Sequence, residues 1–393
     1  MKMNKSILAA VLGLSMAGLS NAGTVYMTGS TAMRSIVYST IMNPGTVFQA
    51  APSYTVYQGG STSNNAGNSG NFMAFSGTLV GGSGTTVIKC HWSGSEGGIL
   101  DVASNTIVSE TFIDDSLLDG HDHGTNVPAV TVSAYVNLAM ADNSQPYSRT
   151  KKPTLTKGTE VGVITFKWIR NNGLWTGTNV TDSMIRQALG GFCKLAVFSG
   201  NTADTNSYVY VSGRDNLSGT RVNAFGDTGY GIFTVPNQIE MNSSGVMQDL
   251  TGGGVYAGDY GFSSGGSLAA TMGATTTAAV DNWNGVTGYS TIAYLSVGDA
   301  ATALGLSPAA VELTYDGVLF SPAAVKEGTY NFWGNEYIYE ANNVLSGSEP
   351  DKVYGFLSPL ATGIDSFCDG TKAIKLTDMH CSRPGPTGDP VHN

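Results

Sequence analysis

The sequence predicts an α/β fold with largely parallel sheets. Short apolar runs of strand character alternate with runs of helical period along the 393 residues. Three of the strand runs are followed at once by a small-residue turn and a helix start. Residues 24–27 lead into Gly29-Ser30-Thr31, residues 87–92 into Gly94-Ser95-Glu96-Gly97-Gly98, and residues 208–211 into the stretch 213–221. With 52 glycines and only 12% charged residues, the chain also predicts long irregular connections between these units.

In chain order, residues 24–27 are the first strand, and Ile36, Val37, Tyr38 and Ile41 fall on one face of the helix that follows, with a Ser/Thr cap expected at its start. Residues 43–86 are rich in Gly, Ser, Thr and Asn and predict a hairpin or an elaborated loop. Residues 87–92 are a strand, and Ser95 opens the next helix. Residues 130–140 and 161–168 are strand regions, and residues 181–189 a helix capped near Thr181 or Asp182. Beyond a second Gly- and Asn-rich stretch, 226–257, a helix starts at Gly265. Strands are expected at 288–294, 311–319 and 330–339, and a last helix at 349–358.

Residues 1–5 form a short positive head, residues 6–19 an apolar run, and Asn21-Ala22 a small-residue end. This pattern predicts a secretory signal peptide over residues 1–22, hence an exported, periplasmic chain. No cysteine follows Ala22 to carry a lipid, and no later stretch is long and apolar enough to span a bilayer. The formal net charge of −10 and the absence of a basic patch make nucleic acid and anionic membrane poor partners.

The stretch 213–221 predicts an anion site. A helix start presents free backbone N–H groups and the positive end of its dipole. Arg214, four residues before Ser218, adds a full charge and a two-pronged donor suited to phosphate or carboxylate. Taken alone, a capped helix beside a surface arginine accounts for the same residues. Asp114, Asp115, Asp119, His121, Asp122 and His123 have metal-ligating side chains but no fixed ligand spacing, and read as a solvated acidic loop, so no metal or other cofactor is expected. His91 near Ser95 reads as packing. No catalytic residue is assigned, because no serine nucleophile has a matched base.

Together these pieces resemble the phosphate-binding protein of the high-affinity phosphate ABC transporter. That family is a two-lobed periplasmic binding protein of type II, with mixed sheets flanked by helices and the ligand in a cleft between lobes. Thr31 matches the family's threonine after the first strand, and Ser95 its serine in Gly-Ser-x-Gly-Gly. Asp142, at the end of residues 137–142, matches its aspartate. Arg214, Ser218, Gly219 and Thr220 match its Arg-x-x-x-Ser-Gly-Thr segment. The resemblance implies that these seven residues bind inorganic phosphate. It also implies a monomer that delivers the ligand to a membrane permease, with residues 23–163 and 337–393 in one lobe and 164–336 in the other. Residues 43–86, 101–135 and 226–257 exceed what the family places between its ligand segments. They motivate the alternative of an exported, surface-associated protein that keeps the binding fold without a transport role.

The four cysteines, Cys90, Cys193, Cys368 and Cys381, allow three pairings. Cys368 and Cys381 lie close together in the tail and are expected to form a disulfide. Cys90 and Cys193 would fall on different lobes and are expected to stay unpaired.

Overall fold

The computed structural model describes residues 23–58, 69–104, 111–342, 350–385 and 388–393 of the chain, and side-chain alternation sets its first part. The expected signal peptide lies outside the described residues. In β1 (Gly23–Gly29), Val25 and Met27 are fully buried in one cluster with Ile36, Val37 and Ile41 of α1 (Arg34–Met42). Tyr26 joins a cluster on the opposite face. The stretch expected as a hairpin holds β2 (Ser53–Tyr57) and β3 (Phe72–Gly77), antiparallel from Ser53↔Ser76 to Tyr57↔Phe72. Then follow β4 (Thr86–His91) and α2 (Ser95–Ser104). Ile99 and Val102 of α2 pack on the second face of the sheet, so α1 and α2 cover opposite sides. Three short strands, β5 (Thr111–Ile113), β6 (Asp122–His123) and β7 (Thr131–Ser133), precede β8 (Leu138–Ala141). β1 runs parallel to both β4 and β8, so the carboxyl ends of these strands lie side by side.

The 13-residue β9 (Gly158–Arg170) carries the chain onward. The second part contains β10 (Asn179–Val180), α3 (Asp182–Leu189), β11 (Cys193–Lys194), α4 (Leu195–Ser199), β12 (Tyr208–Val211), α5 (Gly219–Asp227) and α6 (Gly265–Thr271). It continues through β13 (Ser290–Ser296), α7 (Val297–Leu304), β14 (Val311–Glu312), β15 (Thr314–Tyr315) and α8 (Pro322–Lys326). Serine or threonine side chains cap α3, α5, α6, α7 and α8, each taking a first-turn N–H. The chain returns through β16 (Trp333–Glu340) and α9 (Pro350–Ile364), then ends in β17 (Ala373–Ile374), β18 (Cys381–Ser382) and β19 (Val391–His392).

β9 joins the two parts. Its residues 158–165 pair with β16, which pairs in turn with β8 of the first part. Its residues 166–170 pair with β13, which lies parallel to β12. The result is one mixed 13-stranded sheet in the order β11-β12-β13-β9-β16-β8-β1-β4-β3-β2-β6, with β14 and β17 also on β9. Two lobes, each with parallel strands flanked by helices, meet along a shared strand.

Two expectations are corrected. Residues 337–393 do not all pack on the first lobe. β17 adds to β9, but the tail beyond it docks on the second lobe. Lys326 Nζ lies 2.8 Å from Asp378, the His380 N–H donates to the Lys326 carbonyl, and Arg383 forms a buried ion pair with Asp227 at 2.5 Å. The Cys368–Cys381 disulfide is not formed: all four cysteines are buried free thiols. Cys368 sits over Gly162, whereas Cys381 Sγ lies 3.6 Å from the Val325 carbonyl of α8. The register of β17 on β9 fixes the chain between them and seats the two thiols in separate places.

The candidate anion site

The carboxyl ends of β1, β4 and β8 face those of β12 and β13, the place where open parallel sheets hold ligands. Ser95 opens α2 and is 2% exposed. Its hydroxyl donates to Asp142 Oδ1 at 2.7 Å and accepts from the Asp142 N–H at 3.2 Å. Asp142 follows β8 and is also 2% exposed. Burial pushes its carboxyl up to about 6, against the opposing pull of the Ser95 hydrogen bond and the Arg214 charge.

The second lobe closes directly over this pair. Ser218 caps α5, its hydroxyl accepting from the Arg221 N–H at 3.2 Å. Gly219 then presses against the first lobe: a Cβ there would lie 1.6 Å from Asp142 Oδ1 and 2.6 Å from Ser95 Oγ. Gly94, at φ +98°, permits the same close approach from the other side, since a Cβ there would lie 2.4 Å from the Leu217 carbonyl oxygen. That carbonyl accepts the Glu96 N–H at 3.0 Å. Thr220 is buried in the first turn of α5. Asn223, one turn on, donates from Nδ2 to the Asp142 carbonyl at 2.8 Å.

Arg214 is 2% exposed and is aimed by its own lobe. Nε donates to the Phe262 carbonyl and Nη2 to that of Ser263, each at 2.9 Å. Nη1 lies beside Gly265, where α6 begins.

Ser95, Asp142 and Gly219 are thus in direct contact, with Ser218 and Thr220 in the same helix start and the Arg214 charge acting on Asp142. Thr31 stands apart from that contact. It lines a neighbouring interlobe cavity of 230 Å³ with Arg34, Ser35, Ser296, Asp299 and Lys372. The Ser/Thr cap expected for α1 is not formed: Met33 stands at the cap position with no side-chain bond to the helix, and the Ser30 hydroxyl accepts from the Met33 N–H at 3.4 Å in the turn before it.

Sequence reasoning missed several groups. Arg34 donates to Asn71 Oδ1 at 2.6 Å, and its guanidinium is pushed down to about 10 by burial and by Arg214, against the attraction of Asp299. The Arg34 and Arg214 charges, one from each lobe, therefore act on each other. Arg149 of the first lobe grips Asp259 of the second at 3.0 and 3.2 Å, and Asp259 also receives the buried Arg221 at 2.5 Å. Glu96, inside the Gly-Ser-Glu-Gly-Gly turn, anchors this clasp by accepting from the Arg149 N–H at 2.7 Å and from Asn143 and Ser148. No short motif marks these residues, because the contacts join segments more than 35 positions apart.

The acidic loop is built from local hydrogen bonds. Asp119 accepts from the His121 N–H and contacts His123 Nε2 at 3.2 Å, and Asp114 caps Ser116. His91 stacks on Phe72 at 4.0 Å. Among the described residues no group of three His, Cys, Asp or Glu is placed to hold a metal, and no helix is long and apolar enough to cross a membrane.

No family model and no curated protein matches the chain. Solved structures are similar to it at low identity. A protein from Clostridium perfringens solved with bound phosphate is 13% identical, with a TM-score of 0.49 over 90% of this chain and 99% of that one. The high-affinity periplasmic phosphate-binding protein PfluDING, bound with phosphate, is 12% identical, with a TM-score of 0.45 over 90% of each chain. An ABC-type phosphate transport receptor from Vibrio cholerae is 11% identical, with a TM-score of 0.44 over 90% of this chain and 99% of that one.

Proposed function

We propose that the chain is an exported solute-binding protein that captures inorganic phosphate between its lobes for delivery to an ABC permease. The observation that carries the reading is the buried contact of Asp142 and Ser95 with Gly219, at facing strand ends and under the charge of Arg214. The helix starts at Ser95 and Ser218 supply backbone donors, and Arg214 supplies the full positive charge. Asp142 supplies an acceptor, which only an oxyanion that still carries a proton can use. Ser218 and Thr220 add buried hydroxyl groups at the α5 start, and Thr31 one from the adjoining cavity.

In this reading the ligand enters as the two helix starts part, takes over the Ser95 bond to Asp142, and is closed in again by the second lobe turning about β9 and β16. The Arg149–Asp259 clasp closes with it. Calorimetric titration with phosphate tests the reading. Wild-type protein binds one phosphate per chain, and Arg214→Ala weakens phosphate by about 10- to 100-fold, the worth of a charge-assisted hydrogen bond. Equal phosphate affinity in both proteins would sink it.

A further inference from the structure

Glu336 is a buried acid that the proposed phosphate site does not yet use. It lies in β16, fully buried, and its cross-strand neighbour in β9 is Gly162, which has no side chain. On the other side β16 pairs with β8 through Tyr337↔Ala141, which places Glu336 next to Asp142. Leu138 and Met140 of β8, like Ile338 of β16, face the cluster that contains α1. Alternation from them puts Glu336 and Asp142 on the same face.

The partners of Glu336 are few. Ser30, also fully buried, donates its hydroxyl to Oε2 at 3.3 Å while accepting from the Met33 N–H. Oε1 is buried and has no hydrogen-bond partner. The charged group that acts on Glu336 is Asp142, of like sign, and burial together with that neighbour holds its carboxyl well above the usual range. Asp142 itself has the Ser95 hydroxyl and the Arg214 charge to support its ionised form. Two adjacent carboxyl groups in such different surroundings take different protonation states. Burial and the like charge of Asp142 favour the neutral form of Glu336, and the Ser30 hydroxyl that donates to Oε2 leaves Oε1 as the oxygen free to carry the hydrogen. A buried O–H without an acceptor is costly in a dry site.

We propose that Glu336 is a further residue of the interlobe site, a neutral carboxylic acid whose Oε1–H donates to an oxygen of the bound oxyanion. The inference rests on the phosphate reading and deepens it: Asp142 accepts the ligand's proton while Glu336 donates its own. The pair therefore selects an oxyanion that presents both an O–H and a bare oxygen.

The test is phosphate titration of wild type, Glu336→Gln and Glu336→Ala from pH 7 to 9.5. Glu336→Gln keeps a donor and is expected to stay within about threefold of wild type at pH 7, whereas Glu336→Ala weakens binding by about 10- to 100-fold. As pH rises through the point where Glu336 ionises, wild type loses its donor and gains a repulsive charge, so its affinity falls by about tenfold per unit relative to Glu336→Gln. Parallel pH profiles for wild type and Glu336→Gln would overturn the proposal. A second measurement needs no variant: the infrared difference spectrum of wild type with labelled glutamate, recorded on adding phosphate. A protonated glutamate carboxyl band that shifts with phosphate supports the proposal. Wild type that binds phosphate with no such shift overturns this inference alone. Wild type that binds no phosphate at any pH overturns both this inference and the phosphate reading.

Discussion

The Cβ position of Gly219 lies 1.6 Å from Oδ1 of Asp142, so a residue of the second lobe rests directly on the carboxylate of the first. No side chain fits there without separating the lobes. Gly219→Ala is therefore expected to hold the cleft open and to weaken phosphate binding by at least about tenfold, as overpacking of a close contact costs ~1–3 kcal/mol. Gly245→Ala, at a second-lobe turn remote from the cleft, is the control for simple destabilisation. Small-angle scattering of Gly219→Ala should show a larger radius than wild type under the same conditions. An unchanged radius with unchanged phosphate affinity would contradict the closed contact.

Stability should rise on mild acidification. Burial raises the carboxyls of Asp142, to about 6, of Asp227, to about 7 despite its pairing with Arg383, and of Glu96 and Glu336. An acid whose folded-state value exceeds its unfolded one binds more protons when folded. Its contribution is full below the unfolded value, near 4, and is lost as pH rises through the folded one. For Asp142 the interval amounts to about 3 kcal/mol. The unfolding midpoint is expected to climb from pH 8 to pH 5, and to climb less in Asp142→Asn. A midpoint that falls steadily over this range in wild type would show that these groups are not buried as described.

The same titration governs selectivity. Above pH 6 Asp142 is an ionised acceptor that a proton-free anion such as sulfate cannot satisfy. Below that value it is neutral and can donate. Sulfate binding by wild type is therefore expected to appear as pH drops to 5, while Asp142→Asn binds sulfate at both pH values. Sulfate binding by wild type that does not change between pH 5 and 8 would refute this role.

Asp259 holds two arginines of unequal burial: Arg221 is 4% exposed at its side chain and Arg149 is 33% exposed. Removing the carboxylate leaves Arg221 buried without its ion-pair partner, so Asp259→Asn should destabilise by about 3–5 kcal/mol. Arg149→Ala, a half-open contact, should cost less than about 1 kcal/mol but release phosphate faster, because it severs the clasp across the cleft. Chemical denaturation gives the first pair of numbers and stopped-flow release the second. Equal losses of stability would mean that the two contacts are equivalent.

The four thiols are also testable. Alkylation of the unfolded protein without reductant should add four groups to the chain, as all four cysteines are free. Two missing adducts, mapped to Cys368 and Cys381, would restore the pairing that their sequence spacing suggests.

The strand–turn–helix units were legible in the sequence because their determinants are local: alternation in residues 24–27, a glycine before the turn, and a serine at the helix start. Ser95 could be picked out for the same reason, whereas Asp142 and Gly219 were picked out by the resemblance of their segments to the phosphate-binding family. Glu336 could not, since one acid in an alternating strand looks the same whether it faces water or a buried site until the pairing with β8 is known. Arg34, Arg149 and Asp259 depend on how two lobes meet. Thr31 was legible by its position in the turn, but which cavity it lines depends on how the lobes meet, and it faces the adjoining one. The tail was misread because cysteine spacing says nothing of the β17–β9 pairing that keeps the two thiols apart.

The most direct test of the account is a calorimetric titration of wild-type protein with phosphate and with sulfate at pH 7.5. A buried acceptor facing a ligand without a proton is worth several kcal/mol, so discrimination of about 1000-fold is expected, with one phosphate bound per chain. Sulfate bound as tightly as phosphate, or neither bound, would contradict the assignment of Asp142 and Arg214 to an interlobe phosphate site.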